Sequence, residues 1–156
     1  MIIRILWVGK TKSPPIRSLS GDYLERLRHM TRVEITEIRD PAAARRLTQS
    51  ELIVTEESEI LRFLSGSSRI VLLDERGTEL SSLEFSRWIA GEQNRGTKEI
   101  SFVIGGPDGT GPELARRANL KLSLGKMTWT HEMCRVLLLE QIYRACCILR
   151  KIPYHR

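Results

Sequence analysis

The chain ends in "IPYHR", and Tyr154, His155 and Arg156 put a phenol ring, an imidazole and a guanidinium into its last three positions. An unperturbed imidazole titrates near about 6.5 and exchanges a proton readily at neutral pH. A guanidinium holds anions and phosphates, and a phenol ring can stack on a base. The competing reading is an ordinary solvated basic tail, because chain ends tend to fray. Glu140 and Arg144 stand four apart in one helical run, the favourable order for an ion pair. That spacing suits a surface pair as well as an active-site pair.

A second candidate is "FVIGGPDGTGPE", where Gly105, Gly106, Gly109 and Gly111 fall within seven residues of each other. Glycines at this density let the backbone turn sharply and come close to a ligand. We therefore expect a ligand loop there rather than a plain connection. Two familiar patterns fail. Gly9-Lys10-Thr11 could end a phosphate-binding P-loop, but Arg4 stands where that motif needs its first glycine. The glycine segment also lacks GxGxxG, which argues against a nucleotide-binding oxidoreductase. Cys134, Cys146 and Cys147 show no CxxC spacing and cannot all pair. They read as reduced core residues of a cytoplasmic protein, with no metal expected.

The elements that must position these residues follow from periodicity. "IIRILWV" (2–8), "VEITEIR" (33–39), "RIVLLD" (69–74), "EISFVIGG" (99–106) and "LKLSL" read as strands. Helices are expected over 18–30, from Pro41 to about Leu64, from Ser81 or Ser82 onward, near 112–119, and from about His131 to Arg150. The double proline at 14–15 predicts loop, and "ERGTE" predicts a turn. His131 reads as structural, as a cap or a packing residue. Apolar strands alternating with helices define an α/β domain with a parallel sheet covered on both faces. Ligands of such sheets bind at the carboxyl ends of the strands, here Gly9, Leu73-Asp74, Gly105-Gly106 and Leu124-Gly125.

The 156 residues suffice for one domain, 1–156, and 41% hydrophobic with 28% charged residues is ordinary for a soluble protein. No apolar run is long enough to span a membrane, and "MIIRILWVGKTK" reads as a strand rather than a signal peptide. The net charge of +6 is unevenly placed. The first 32 residues hold seven Lys/Arg against two Asp/Glu, and residues 126–156 hold six against two. If the two basic ends meet, they form a surface suited to phosphate backbones. The helix after His131 is apolar nearly all round, so it is deeply buried or shared with a second chain.

"LLDERG", "FVIGGPDG", "LSLGKMTWTHEMCRVLLLEQIYRA" and the closing "YHR" together resemble the small SPOUT-class RNA methyltransferases, and among them the ribosomal RNA large subunit methyltransferase H family. The resemblance covers essentially the whole chain. It implies a SPOUT α/β fold with a C-terminal trefoil knot, and a homodimer joined partly through the last helix. It implies methyl transfer from S-adenosylmethionine to N3 of a pseudouridine in the helix 69 loop of 23S rRNA, on the assembled ribosome. The donor pocket it implies is built from Leu73, Gly106, Gly125, Lys126, Met127, Thr128, Trp129 and Thr130.

The chain departs from the family pattern at Gly125, where many relatives carry serine, and at Thr130, where several carry proline. Donor binding is expected to survive both changes, because such loops bind through backbone. Matching positions make His155 the expected base, directly or through water, and let Tyr154 stack on or orient the acceptor. Arg156 would stabilise the developing anion or hold a phosphate, and Arg144, oriented by Glu140, would do likewise. The alternative is a non-catalytic RNA-binding module on the ribosome, which leaves the glycine segment without a purpose.

Overall fold

The computed structural model describes residues 1–41, 47–66 and 68–155. Strands β1 (Ile2–Val8), β2 (Arg32–Ile38), β3 (Arg69–Glu79), β4 (Glu99–Ile104) and β5 (Leu120–Ser123) form a five-stranded sheet. Its order is β2-β1-β4-β3-β5, and every pairing is parallel. The helices are α1 (Pro14–Arg28), α2 (Gln49–Phe63), α3 (Ser82–Asn94), α4 (Pro112–Arg117) and α5 (His131–Leu149).

The apolar runs of β1 and β4 are central strands because both of their faces are buried. Ile3, Ile5 and Trp7 of β1 join Phe102, Phe85, Ile89, Leu138 and Ile142 in one core, against α1, α3 and α5. Leu6 and Val8 point the other way and meet Ile60, Leu72, Val103 and Leu114, against α2 and α4. The sheet is therefore covered on both sides, as the alternation of elements predicts. Among the described residues no helix is long and apolar enough to cross a membrane.

Three boundaries differ from expectation by more than two residues, and at α5, which starts at His131 as expected, the structure decides between a cap and a packing residue. Helix α1 starts at Pro14, four residues before the predicted start, because prolines are tolerated in a first turn whose N–H groups have no intrahelical partner. Two amides at that end are served from elsewhere: Glu132 accepts from the Lys12 and Ser13 N–H groups at 2.8 and 3.1 Å. Helix α2 begins at Gln49 rather than Pro41, with Thr48 and Glu51 forming a capping box. The expected stretch 42–46 of that helix lies outside the described residues. At α5 the cap is Thr130, whose hydroxyl accepts from Met133 N–H, and not His131.

The difference at β3 matters most for the site. Strand β3 runs on through "ERGTE" to Glu79 instead of turning. Leu73 and Thr78 both stand opposite Leu122 of β5, so residues 74–77 bulge out of the ladder. Gly77 makes the return possible, since a Cβ there would lie 2.6 Å from the Lys121 carbonyl oxygen. That neighbour is backbone and cannot move aside. Gly77→Ala is expected to cost about 1–3 kcal/mol through forced overpacking. An unchanged urea midpoint in this variant would remove the steric account.

Candidate active site

The carboxyl ends of β3, β4 and β5 open into a cleft of about 500 Å³. That is within the usual range for small-ligand sites. One wall is the bulge of β3, with Leu73, Asp74, Glu75 and Arg76. The segment Gly105–Thr110 after β4 forms the second, and Ser123 to Trp129 after β5 the third. His131 and Cys134, from the first turn of α5, close the base. Thr128 donates its hydroxyl to Glu75 at 3.2 Å, joining the first and third walls. Ser123 Oγ accepts from the Gly125 N–H at 3.2 Å and donates to the Gly125 carbonyl at 2.9 Å, which fixes that turn.

Of the residues expected at the donor pocket, Leu73, Gly106, Gly125, Met127, Thr128 and Trp129 line this cleft. Lys126 and Thr130 do not, and the Thr130 side chain is occupied in capping α5. Gly125 adopts φ +118°, a backbone conformation that glycine takes without strain and serine does not. Asp74 stands at a strand end where a ligand is expected, and Glu75, His131 and Cys134 join it as lining residues that the sequence reading does not name. The two carboxylates face the cleft because β3 bulges, which a turn at "ERGTE" does not suggest. Burial raises the Cys134 thiol above its ordinary value, so it stays protonated at neutral pH.

A second cluster gathers Glu140, Arg144, Tyr154 and His155, as the sequence grouping anticipates, but far from the cleft. Glu140 Oε1 accepts from Arg144 and, at 3.1 Å, from the Tyr154 hydroxyl. Its Oε2 accepts from Gln141 at 2.7 Å. The Arg144 guanidinium lies 4.7 Å from the Tyr154 ring centre and 3.5 Å from His155 Nδ1. Tyr23 of α1 completes the group, its hydroxyl 3.4 Å from that of Tyr154. Burial, with the neighbouring Tyr23 and Glu140, pushes the Tyr154 phenol well above its usual value, so it serves as a donor and not as a base. The Glu140 hydrogen bond raises Arg144. Arg156 lies outside the described residues.

The two groups sit at different ends of α5. At about 1.5 Å per residue, Cys134 at the cleft and Glu140 at the cluster are about 9 Å apart along α5, and His131 and Arg144 about 20 Å. Helix α1 packs along α5, so the basic first segment does meet the basic last one. The Arg26 guanidinium lies over the rings of Tyr23 and Tyr143, at 5.5 and 5.9 Å.

Fold and cleft together define an α/β protein with a cleft of small-ligand size at the carboxyl edge of a parallel sheet. The family model described as "Predicted SPOUT methyltransferase" matches residues 1–155, and the chain belongs to that SPOUT methyltransferase family. It is similar to proteins named Ribosomal RNA large subunit methyltransferase H. The Geobacter sulfurreducens protein is 42% identical over 156 residues, with 99% of each chain covered. The Nitratidesulfovibrio vulgaris protein is 43% identical over 153 residues, covering 98% of this chain and 97% of its own. The fold resembles that of Lpg2936 from Legionella pneumophila, a structure in complex with the bound cofactor SAM. The TM-score is 0.52 at 10% identity, over 93% of this chain and 66% of the other.

Proposed function

We propose that the chain is a homodimeric S-adenosylmethionine-dependent methyltransferase, acting on N3 of a pseudouridine in the helix 69 loop of 23S rRNA on the assembled ribosome in the cytoplasm. The observation that carries the reading is the cleft at the ends of β3, β4 and β5, in a chain of this family whose relatives are named for large-subunit ribosomal RNA. We extend the same reading to the C-terminal trefoil knot and to a single domain over the full length.

The cleft suits the donor chemically. Loop backbone from Gly105–Gly109 and Ser123–Gly125 offers hydrogen bonds to an adenine and a ribose, while Leu73, Ile104, Leu122 and Met127 supply apolar flanks. Asp74, Glu75 and Asp108 place negative charge around a cationic ligand. A sulfonium methyl is already activated, so what the protein must supply is alignment with the acceptor, worth up to about 7–11 kcal/mol. The acceptor N3–H must lose its proton, and His155 is the group we assign to receive it. Glu140 fixes Arg144, which steadies the His155 ring, and Tyr154 is held beside both.

The tail leaves α5 at the end away from the cleft, and we assign each tail to the cleft of the partner protomer. Apolar surface supports that arrangement. Met127 and Trp129 are exposed at the start of α5, Leu149 and Ile152 at its end, and Met133, Leu137 and Ile148 are half-buried between them.

Intact ribosomes, isolated large subunits and naked RNA should be offered the labelled methyl donor, and the modified nucleotide mapped. Label is expected at a single 23S rRNA pseudouridine, with intact ribosomes the best substrate. Incorporation into transfer RNA instead would overturn the substrate assignment.

A further inference from the structure

Helix α2 lies on the opposite side of the sheet from α5, yet two of its carboxylates enter the cleft wall from beneath. Glu56 and Glu57 are only 3% and 8% exposed. Glu56 Oε2 accepts from the Gly106 N–H at 3.2 Å, and Glu57 Oε1 from the Leu114 N–H at 2.6 Å. Both approaches require glycine. A Cβ at Gly106 would stand 2.5 Å from the Glu56 oxygens, and one at Gly111 would stand 2.3 Å from the Glu57 carboxyl carbon. Two of the four glycines that suggest a ligand loop are thus needed for the carboxylates behind it.

Neither carboxylate lines the cleft, and neither forms an ion pair with Lys, Arg or His among the described residues. Burying two adjacent acids that no described cation pairs is costly, and a fold that needed only a tether would do better with a neutral side chain. What the pair does achieve is to hold both ends of the Gly106–Leu114 segment.

We propose that Glu56 is a positioning residue for the methyl donor: by taking the Gly106 N–H it holds the glycine wall in its donor-binding form, with Glu57 holding the far end. The proposal rests on the cleft being the methyl-donor site. The groups that face Glu56 are the Gly106 amide, Asp108 of the same segment, and Asp40 after β2, with Glu57 beside it on α2. Burial, reinforced by Asp40 and Asp108, raises its carboxyl to about 7 against the opposing pull of the Gly106 amide. An ionised carboxylate accepts the stronger hydrogen bond, so the wall is held best above neutral pH. A cationic donor favours the same ionised form.

The sign for stability is the reverse of that for a salt-bridged acid. The folded chain keeps this proton between the ordinary carboxylate range and about pH 7, so the Glu56 contribution to stability falls over that interval and is level above it.

The test is a calorimetric titration of S-adenosylmethionine into the full-length protein and into Glu56→Gln at pH 6, 7 and 8. At pH 6 about one-tenth of Glu56 is ionised, so wild-type affinity should be roughly tenfold weaker than at pH 8. The donor's own ammonium titrates against both proteins alike, so the difference between their profiles isolates Glu56. Glu56→Gln should lack that component and stay near the wild-type pH 6 affinity, with a raised donor KM and a kcat within about twofold of wild type. Equal affinity and an equal pH profile in the two proteins would overturn the proposal. Should the variant fail to fold by circular dichroism, the wild-type titration is repeated with methylthioadenosine, which carries no ammonium: a flat profile between pH 6 and 8 would overturn the proposal and a tenfold rise would support it. Absence of wild-type binding at every pH would instead remove the donor reading, and this proposal with it.

Discussion

A chain ended at Pro153 is expected to bind S-adenosylmethionine as tightly as the full chain and to transfer no methyl group. The cleft is built from loops after β3, β4 and β5 and from the first turn of α5, and neither Tyr154 nor His155 lines it. Tyr154 and His155 instead hold to Glu140 and Arg144, about 9 and 15 Å along α5 from Cys134 at the cleft. Removing them takes away the proposed proton acceptor and the phenol held beside it. His155→Ala alone should lower the rate by about 10²–10⁴, the usual worth of a positioned base.

Mixed dimers make the separation of the two ends decisive. One protomer would lack residues 154–156, and the other would carry Gly125→Val, which forces a β-branched side chain into a φ of +118° at the cleft. Each homodimer should be inactive. A one-to-one mixture should recover about a quarter of wild-type activity, because half of its dimers then join one intact cleft to the partner's tail. No recovery in a mixture whose heterodimers are verified by mass would mean that the tail acts within its own chain, or not at all.

The second large effect is on stability. Arg135, 1% exposed, donates to the Val8 carbonyl and to the Thr11 hydroxyl, each at 2.7 Å. Its guanidinium lies 5.0 Å from the Trp7 ring centre, and burial draws its pKa below the ordinary arginine value. Methionine would fill much of the volume but leave both acceptors buried without a donor, at about 1–3 kcal/mol each. Loss of the ring contact adds about 0.5–2 kcal/mol. Arg135→Met should therefore lose about 2.5–8 kcal/mol, from a total that for such domains is about 5–15 kcal/mol. Urea unfolding should show a large drop in midpoint at unchanged slope. Donor affinity should fall as well, since Arg135 ties the loop after β1 to the turn of α5 that carries His131 and Cys134. An unaltered midpoint would show that the buried cation is dispensable.

Much of the fold was legible because strand and helix periodicities are local. The apolar runs at 2–8 and 99–104 could only be strands buried on both faces, and the capping pattern of Ser81 with Glu84 by itself marks the start of α3. The cleft was legible in outline for a related reason: ligands of parallel sheets bind beyond the carboxyl ends of strands, and those ends can be counted along the chain. The misplaced start of α1 was a matter of weighing a local rule, since prolines break helix interiors but are accepted in a first turn.

Contacts between distant positions were not legible. The extension of β3 through Gly77 depends on the backbone of Lys121 in another strand, and no pattern within "ERGTE" reports it. The glycines at 106 and 111 invited a ligand explanation, while the groups nearest to them are carboxylates some fifty residues earlier in the chain. The sequence by itself determined the order of elements, the two-sided core and the family, because burial and periodicity are written residue by residue. Only the tertiary structure decided that Tyr154 and His155 stand at one end of α5 and the cleft at the other. A helix carries its two ends apart by its own length, and a linear string of residue types does not say which end meets the site.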